Sequence, residues 1–258
     1  MKLTVVGCTG SMSGPKGAAS SYLVQTDTTT ILLDMGPGSM GQLMNYIDPA
    51  ELDAILLSHL HTDHVADIIG MQVYRKWFPT GPLGPIDVYS PGDGLERTRQ
   101  IGGDAPEETY AGEFTFHAVT EGDKVKVGDV EIEFFHAEHP VPAHAMRLTG
   151  PAGQVLTYSG DTDYCEGQVE AARGADMYLC EAAFEAERDT VRGIHLTGAR
   201  AGQIATKAGV KNLVLTHLQP WTDPDVVCQE TRQTYEGPIA VATPGVTFHV
   251  ANSPKLEA

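Results

Sequence analysis

The hexapeptide His59-Leu60-His61-Thr62-Asp63-His64 follows directly on the apolar run Ala54–Leu57, and no other segment constrains this chain as much. Ala54–Leu57 reads as a buried strand, and Val65–Lys76 beyond the hexapeptide has helical periodicity. The hexapeptide therefore spans a strand-to-helix junction. Residues two apart in extended backbone face the same side, so His59 and His61 can share one ion. Asp63 and His64 lie where the helix begins, and the turn aims them at a second ion nearby. Imidazole nitrogen and carboxylate oxygen, with no cysteine, suit a catalytic zinc site that keeps an open position better than a closed structural one. A lone histidine at a strand end is more often a satisfied polar residue. Four ligand types in this pattern should arise by chance in roughly one protein of this length in several thousand.

Two other segments echo this arrangement. Ile55–Leu60 reads ILLSHL and Leu213–Leu218 reads LVLTHL, each an apolar strand ending in a hydroxyl residue and a histidine. Val155–Asp161, VLTYSGD, is a third strand ending in a ligand type. Side chains converge in loops beyond strand ends, so these three ends are expected to share one rim. The remaining strands are read as Lys2–Val6, Ser20–Thr26, Thr29–Leu33, Ile86–Ser90, Glu113–Val119, Lys124–Val127, Val130–Ala137, Ala145–Leu148, Met177–Glu181, Ile239–Val241 and Val246–Val250. Helices are expected at Val65–Lys76, Gln168–Arg173, Gly198–Lys207 and Asp223–Tyr235, with a looser loop around Gly102–Thr109. Two sheets with helices outside, in a single domain over residues 1–258, accommodate this α/β pattern.

Composition narrows the function. At 258 residues and 41% hydrophobic content the chain can bury a substantial core without disulfides. Cys8, Cys165, Cys180 and Cys228 are scattered, with no CxxC pair, so neither a disulfide framework nor a zinc ribbon is expected. Seventeen basic against 34 acidic residues give a net charge of −17. That surface repels phosphate backbones and argues against a stable nucleic-acid complex. A small anion can still be drawn to bound metal ions. No apolar stretch is long enough to cross a bilayer, and the first residues read as a strand rather than a signal peptide, so no membrane association and a cytoplasmic enzyme are expected. The opening GCTGSMSGPKG lacks GK[ST], which argues against nucleoside triphosphate binding.

The hexapeptide resembles the HxHxDH hallmark of the metallo-β-lactamase superfamily, and the likeness runs over essentially the whole chain. HPVPAHAMRL (139–148), TYSGDT (157–162), CEAAF (180–184), HLTGARAGQIA (195–205) and LVLTHL (213–218) resemble the phosphodiesterase branch that includes ribonuclease Z, and especially its small bacterial metal-dependent hydrolases. The resemblance implies an αββα sandwich, with two mixed sheets face to face and helices outside. It implies that His59, His61 and His139 hold one divalent ion, that Asp63, His64 and His217 hold a second, and that Asp161 bridges them. Zinc is the expected metal, with manganese or iron also suited to mixed nitrogen and oxygen donors. His195 is expected to help the leaving oxygen depart, with Glu181 orienting it, and Asp63 to act at the catalytic centre. The Gly-rich opening is expected to form a loop near the metal rim.

Other histidines are placed more loosely. His136 falls within a strand and is expected to be half-buried and structural. His144 either faces substrate or lies on the surface. His117 and His249 read as structural, and Asp67 as part of a solvated helix face. The implied activity is hydrolysis of a small anionic phosphodiester such as a cyclic nucleotide, by a hydroxide bridging the ions. Ribonuclease Z enzymes grip transfer RNA with an arm between the third histidine ligand and the bridging aspartate. Here only a tight strand–turn–strand separates His139 from Asp161. The alternatives are ribonuclease Z-like RNA 3′ processing, hydrolysis of a lactone, lactam or thioester, and a non-catalytic metal-binding protein. Dimers are common in the branch, which allows a homodimer here.

Overall fold

The computed structural model describes residues 1–251. Its first sheet takes β1 (Lys2–Thr9), β2 (Ala18–Ala19), β3 (Ser21–Gln25), β4 (Thr30–Leu33), β5 (Ala54–Leu56), β6 (Ile86–Ser90) and β7 (Phe114–Ala118). The second takes β8 (Lys124–Val127), β9 (Val130–His136), β10 (His144–Thr149), β11 (Val155–Tyr158), β12 (Met177–Glu181), β13 (Leu213–Thr216) and β14 (Ile239–Val241). The chain then returns to the first sheet as β15 (Thr247–His249). The strand orders are β15-β1-β3-β4-β5-β6-β7, with β2 beside β1, and β14-β13-β12-β11-β10-β9-β8. Each sheet is antiparallel on one side and parallel on the other: β4, β5, β6 and β7 pair in parallel, as do β11, β12, β13 and β14.

The strands alternate with period two; the inner faces of the two sheets meet in one core, and helices cover the outer faces except at the exposed β8–β9 edge. Ile31, Leu33, Ala54 and Leu56 point inward and meet Phe134, Met146, Tyr158, Leu179 and Val214 in a core between the sheets. Their neighbours Leu32, Ile55 and Leu57 point outward onto Met40, Leu43, Ile68 and Met71. These come from α1 (Ser39–Leu43) and α3 (Ile68–Lys76). On the far side Tyr178, Cys180, Leu213 and Leu215 pack on Val169, Ala201, Ile204 and Val227. Those belong to α5 (Glu166–Ala172), α6 (Gly198–Ala208) and α7 (Pro224–Arg232). The result is the four-layer αββα sandwich, burying the continuous apolar strand runs that parallel pairing requires.

Every strand read from the sequence is present, with ends moved by a few residues. The helices differ more. The helix expected at Val65–Lys76 is two, α2 (Thr62–Val65) and α3, because the loop after β4 intervenes: Met35 N–H donates to His64 O, and Asp67 N–H donates to Met35 O. A helix α4 (Gly94–Gly102) precedes the irregular loop, and α1 was likewise not expected. Asp93 caps α4 by accepting from Glu96 N–H, and Gly103 ends it in the left-handed conformation. The flanking SPGDG reads as a turn and hides these signals. Among the described residues no helix is long and apolar enough to cross a membrane.

Candidate metal centre

The carboxyl ends of the parallel strands β4, β5, β11, β12 and β13 carry Asp34, the hexapeptide, Asp161, Glu181 and His217 to one rim. Open sheets bind ligands outside such ends, where strand connectivity changes sense. His59, His61 and His139 form one cluster there, and Asp63, His64, Asp161 and His217 form another; within each, the ligand atoms lie within 4.8 Å of one another.

In the first cluster His61 Nδ1 lies 3.1 Å from His59 Nε2 and 3.0 Å from His139 Nε2. The outer nitrogens of His59 and His139 are already engaged. His139 Nδ1–H donates to Ile194 O at 2.9 Å, and His59 Nδ1 lies 3.1 Å from Ser58 Oγ, which itself donates to Asp34. Those bonds leave the inner nitrogens of His59 and His139 as lone pairs, both aimed at His61 Nδ1, an arrangement that a shared cation satisfies. In the second cluster His64 Nδ1–H donates to Asp34 Oδ2 at 2.7 Å, and His217 Nδ1 meets Ser20 Oγ at 2.8 Å. His64 Nε2 and Asp161 Oδ1 are buried without a hydrogen bond, 3.1 Å apart. Asp161 lies between the clusters: Oδ2 is 3.7 Å from His59 Nε2 and 3.3 Å from His217 Nε2. The donor set therefore fits two divalent cations with Asp161 between them.

Electrostatics agree. Burial alone would raise Asp161, but His217, His64 and His59 hold its carboxyl well below the usual range. Burial opposes protonation of His64, yet Asp161 and Asp34 outweigh it and hold the imidazole well above its ordinary value. His59, with no such excess of carboxylates, is driven well below by burial and by His64. A cluster that draws a proton this strongly also draws a cation.

Glu181 and His195 stand beside this centre. His195 Nδ1–H donates to Glu181 Oε1 at 2.9 Å and lies 3.9 Å from Asp161 Oδ2. The remaining lone pairs of Glu181 accept from the backbone N–H of Thr162, Ala183 and Leu196. With its carboxylate filled by donors, Glu181 is arranged to orient His195 rather than to hold another cation. Burial would lower His195, but Glu181 and Asp161 overcome it and raise the imidazole to about 9. Asp163 fixes the preceding loop: it accepts from Arg192 Nε (2.6 Å), Arg200 Nη1 (2.6 Å) and Gly193 N–H (2.7 Å).

The other candidates fall elsewhere. His136 is exposed rather than half-buried; it sits on the open side of β9, with Nε2 3.5 Å from Glu138. His144 is neither at the surface nor at the clusters. It is buried opposite His136 on β10, edge-on to Phe134. Asp67 is not on a solvated face, because its carboxylate accepts from Met40 N–H and ties α1 to α3. His117 bonds Asp87 and stacks on Tyr89, and His249 is exposed on β15, both away from the clusters. The Gly-rich opening does reach the rim, where Ser11 N–H lies 3.3 Å from His217 Nε2.

Sequence reasoning passed over Asp34, Ser20 and Ser58. Asp34 is fully buried with φ of 60° and accepts from Ser58 N–H, Ser58 Oγ–H, Tyr158 O–H and His64 Nδ1–H. An aspartate closing the strand TILL was its visible signal; aspartate tolerates that left-handed backbone better than most residues.

A family model described as Beta-lactamase superfamily domain matches residues 29–218. The chain is 38% identical to Uncharacterized protein ML1173 of Mycobacterium leprae, over 97% of this chain and 89% of that one. It is 31% identical to Probable metallo-hydrolase YhfI of Bacillus subtilis, over 96% and 99% of the two chains. The crystal structure of YhfI, a metallo-beta-lactamase fold protein, matches with a TM-score of 0.86 at 28% identity, covering 96% of this chain and 99% of that one. Ribonuclease Z of Myxococcus xanthus is 27% identical over 97% and 98%.

Proposed function

The chain belongs to the metallo-β-lactamase superfamily and carries the His/Asp site of a metallo-hydrolase, and from that premise we propose that its substrate is a small phosphodiester, a cyclic nucleotide being the leading case. Two divalent cations, held by His59, His61 and His139 on one side and by Asp63, His64 and His217 on the other with Asp161 between, would supply Lewis acidity and a water acidified to near neutrality. The observation that carries the phosphodiester reading is the Glu181–His195 pair beside Asp161. Glu181 holds Nδ1–H, which turns the other ring nitrogen free for substrate. The Glu181 carboxylate against Nδ1–H favours the protonated imidazole, which suits His195 to act as an acid rather than a base. As the phosphorus–oxygen bond breaks, the proton on Nε2 passes to the departing alkoxide oxygen. The likeness to proteins named Ribonuclease Z supports the same bond class.

Size and charge favour a small substrate. β10 and β11 join through a turn closed by Gly150 N–H donating to Gln154 O, with no added segment between His139 and Asp161. The net charge of −17 opposes binding of folded RNA. The test is metal analysis of the purified protein together with a substrate panel. The panel comprises bis(p-nitrophenyl) phosphate, 2′,3′- and 3′,5′-cyclic nucleotides, precursor transfer RNA, a lactone, a lactam and a thioester. Metal-dependent cleavage of the small diesters is expected, with little or none of the precursor. Efficient 3′ processing of precursor RNA would overturn the small-substrate reading. Turnover confined to the lactone, lactam or thioester would overturn phosphodiester chemistry.

A further inference from the structure

Beside the first histidine cluster the surface falls into a slot of about 380 Å³, and His61 is one of its walls. The apolar walls come from the loops that carry the cluster: Leu60 lies between His59 and His61, and Val141 and Pro142 follow His139 by two and three residues. A group held in the slot therefore lies against the metal centre. The volume falls within the range of small-molecule sites, which pair apolar walls with a few placed polar groups.

Those polar groups are Asp93 and Arg97, one helical turn apart at the start of α4. Both are anchored. Arg97 Nε donates to Leu60 O at 2.9 Å and Nη1 to Gln100 Oε1 at 3.3 Å, while Asp93 Oδ1 accepts from Glu96 N–H at 2.9 Å. Among the described residues, Arg97 Nη2 and Asp93 Oδ2 have no hydrogen-bond partner. The slot thus joins apolar walls to one fixed donor and one fixed acceptor.

We propose that this slot binds the base of a nucleotide substrate, and that Asp93 and Arg97 select a base whose amino group adjoins a ring nitrogen, as in adenine or cytosine. The amino group donates to Asp93 Oδ2 and the ring nitrogen accepts from Arg97 Nη2. A carbonyl in place of the amino group sets an acceptor against the carboxylate and is rejected. The proposal rests on the phosphodiester reading, naming its substrate class further.

Calorimetric titration of the metal-loaded protein with AMP, IMP and ribose 5-phosphate tests it. AMP is expected to bind at least tenfold more tightly than either. In Asp93→Asn the side-chain oxygen still caps α4, but the second position becomes a donor, so the preference for AMP over IMP is lost. Val141→Trp fills the slot and removes the preference for AMP over ribose 5-phosphate, with thermal melting confirming that each variant is folded. Equal affinities for the three ligands in the unmodified protein, or preferences that survive both variants, overturn the proposal. Base preference in a protein that cleaves no phosphodiester supports the slot and refutes the reaction. Cleavage of cyclic nucleotides without base preference does the reverse.

Discussion

Asp34 and Glu181 lie outside the two ligand clusters assigned above, yet each decides which way a histidine points. Asp34 takes the Nδ1 proton of His64 and Glu181 that of His195, and both carboxylates are fully buried. Such partners typically change metal affinity or activity by about 10–100-fold. Asp34→Asn should accordingly weaken cation binding by about 10–100-fold, measured by competition with a chelator. Glu181→Gln should leave metal content intact while lowering turnover by about 10–100-fold. It should also move the alkaline limb of the pH–rate profile. Glu181 is the strongest influence raising His195, so the amide lets the imidazole fall towards its ordinary value. Activity that needs the imidazolium is then lost at lower pH. Full activity with an unmoved profile would remove Glu181 from the mechanism. The hexapeptide was legible by its own pattern and Asp161 and His217 as ligand types at strand ends, whereas His139 and His195 came from the family resemblance. Asp34 also closes a strand, but as one of 34 acidic residues it matched neither.

At the scale of elements, the rim depends on backbone that leaves its strands abruptly. Gly160 turns the chain after β11 with φ of 58°, and an added Cβ would meet Ser58 Cβ at 2.8 Å and His144 O at 3.0 Å. Gly160→Ala therefore combines a disfavoured backbone with a clash at the loop that carries Asp161. It should cost about 1–3 kcal/mol in chemical denaturation and reduce the metal retained. Unchanged stability would show that the loop relaxes freely. His217 also has positive φ, at 57°, without being glycine. Strain at that position is maintained where surrounding contacts over-determine it, here Ser20 and the Gly-rich opening. Strands were readable because each is a short apolar run between turn residues. The split of α2 from α3 was not, because it follows from hydrogen bonds to Met35, about thirty residues earlier in the chain.

For the whole molecule, the two clusters unite side chains from both sheets, so cations there should tie the layers together. With free cation near a hundred times its dissociation constant, binding stabilises by about 2.7 kcal/mol. For a chain of this size that corresponds to a Tm roughly 5–10 °C lower after chelation, restored on adding zinc. An unchanged Tm would mean that the cations contribute nothing to the fold. The sequence by itself determined two sheets with helices outside, the hexapeptide, and the strand ends carrying Asp161 and His217, because alternation along strands and donors at strand ends are local patterns. The full set of seven ligand types, His139 included, followed from the family resemblance. The sequence also carried the net charge of −17 on which the proposal of a small substrate draws. Only the tertiary structure decided that Asp34, rather than another acid, orients His64, that Ser20 meets the outer nitrogen of His217, and that Asp93 and Arg97 face a slot beside His61. Those relations join residues tens to hundreds of positions apart. They arise when two sheets close on one core, and no local pattern encodes which side chains meet there.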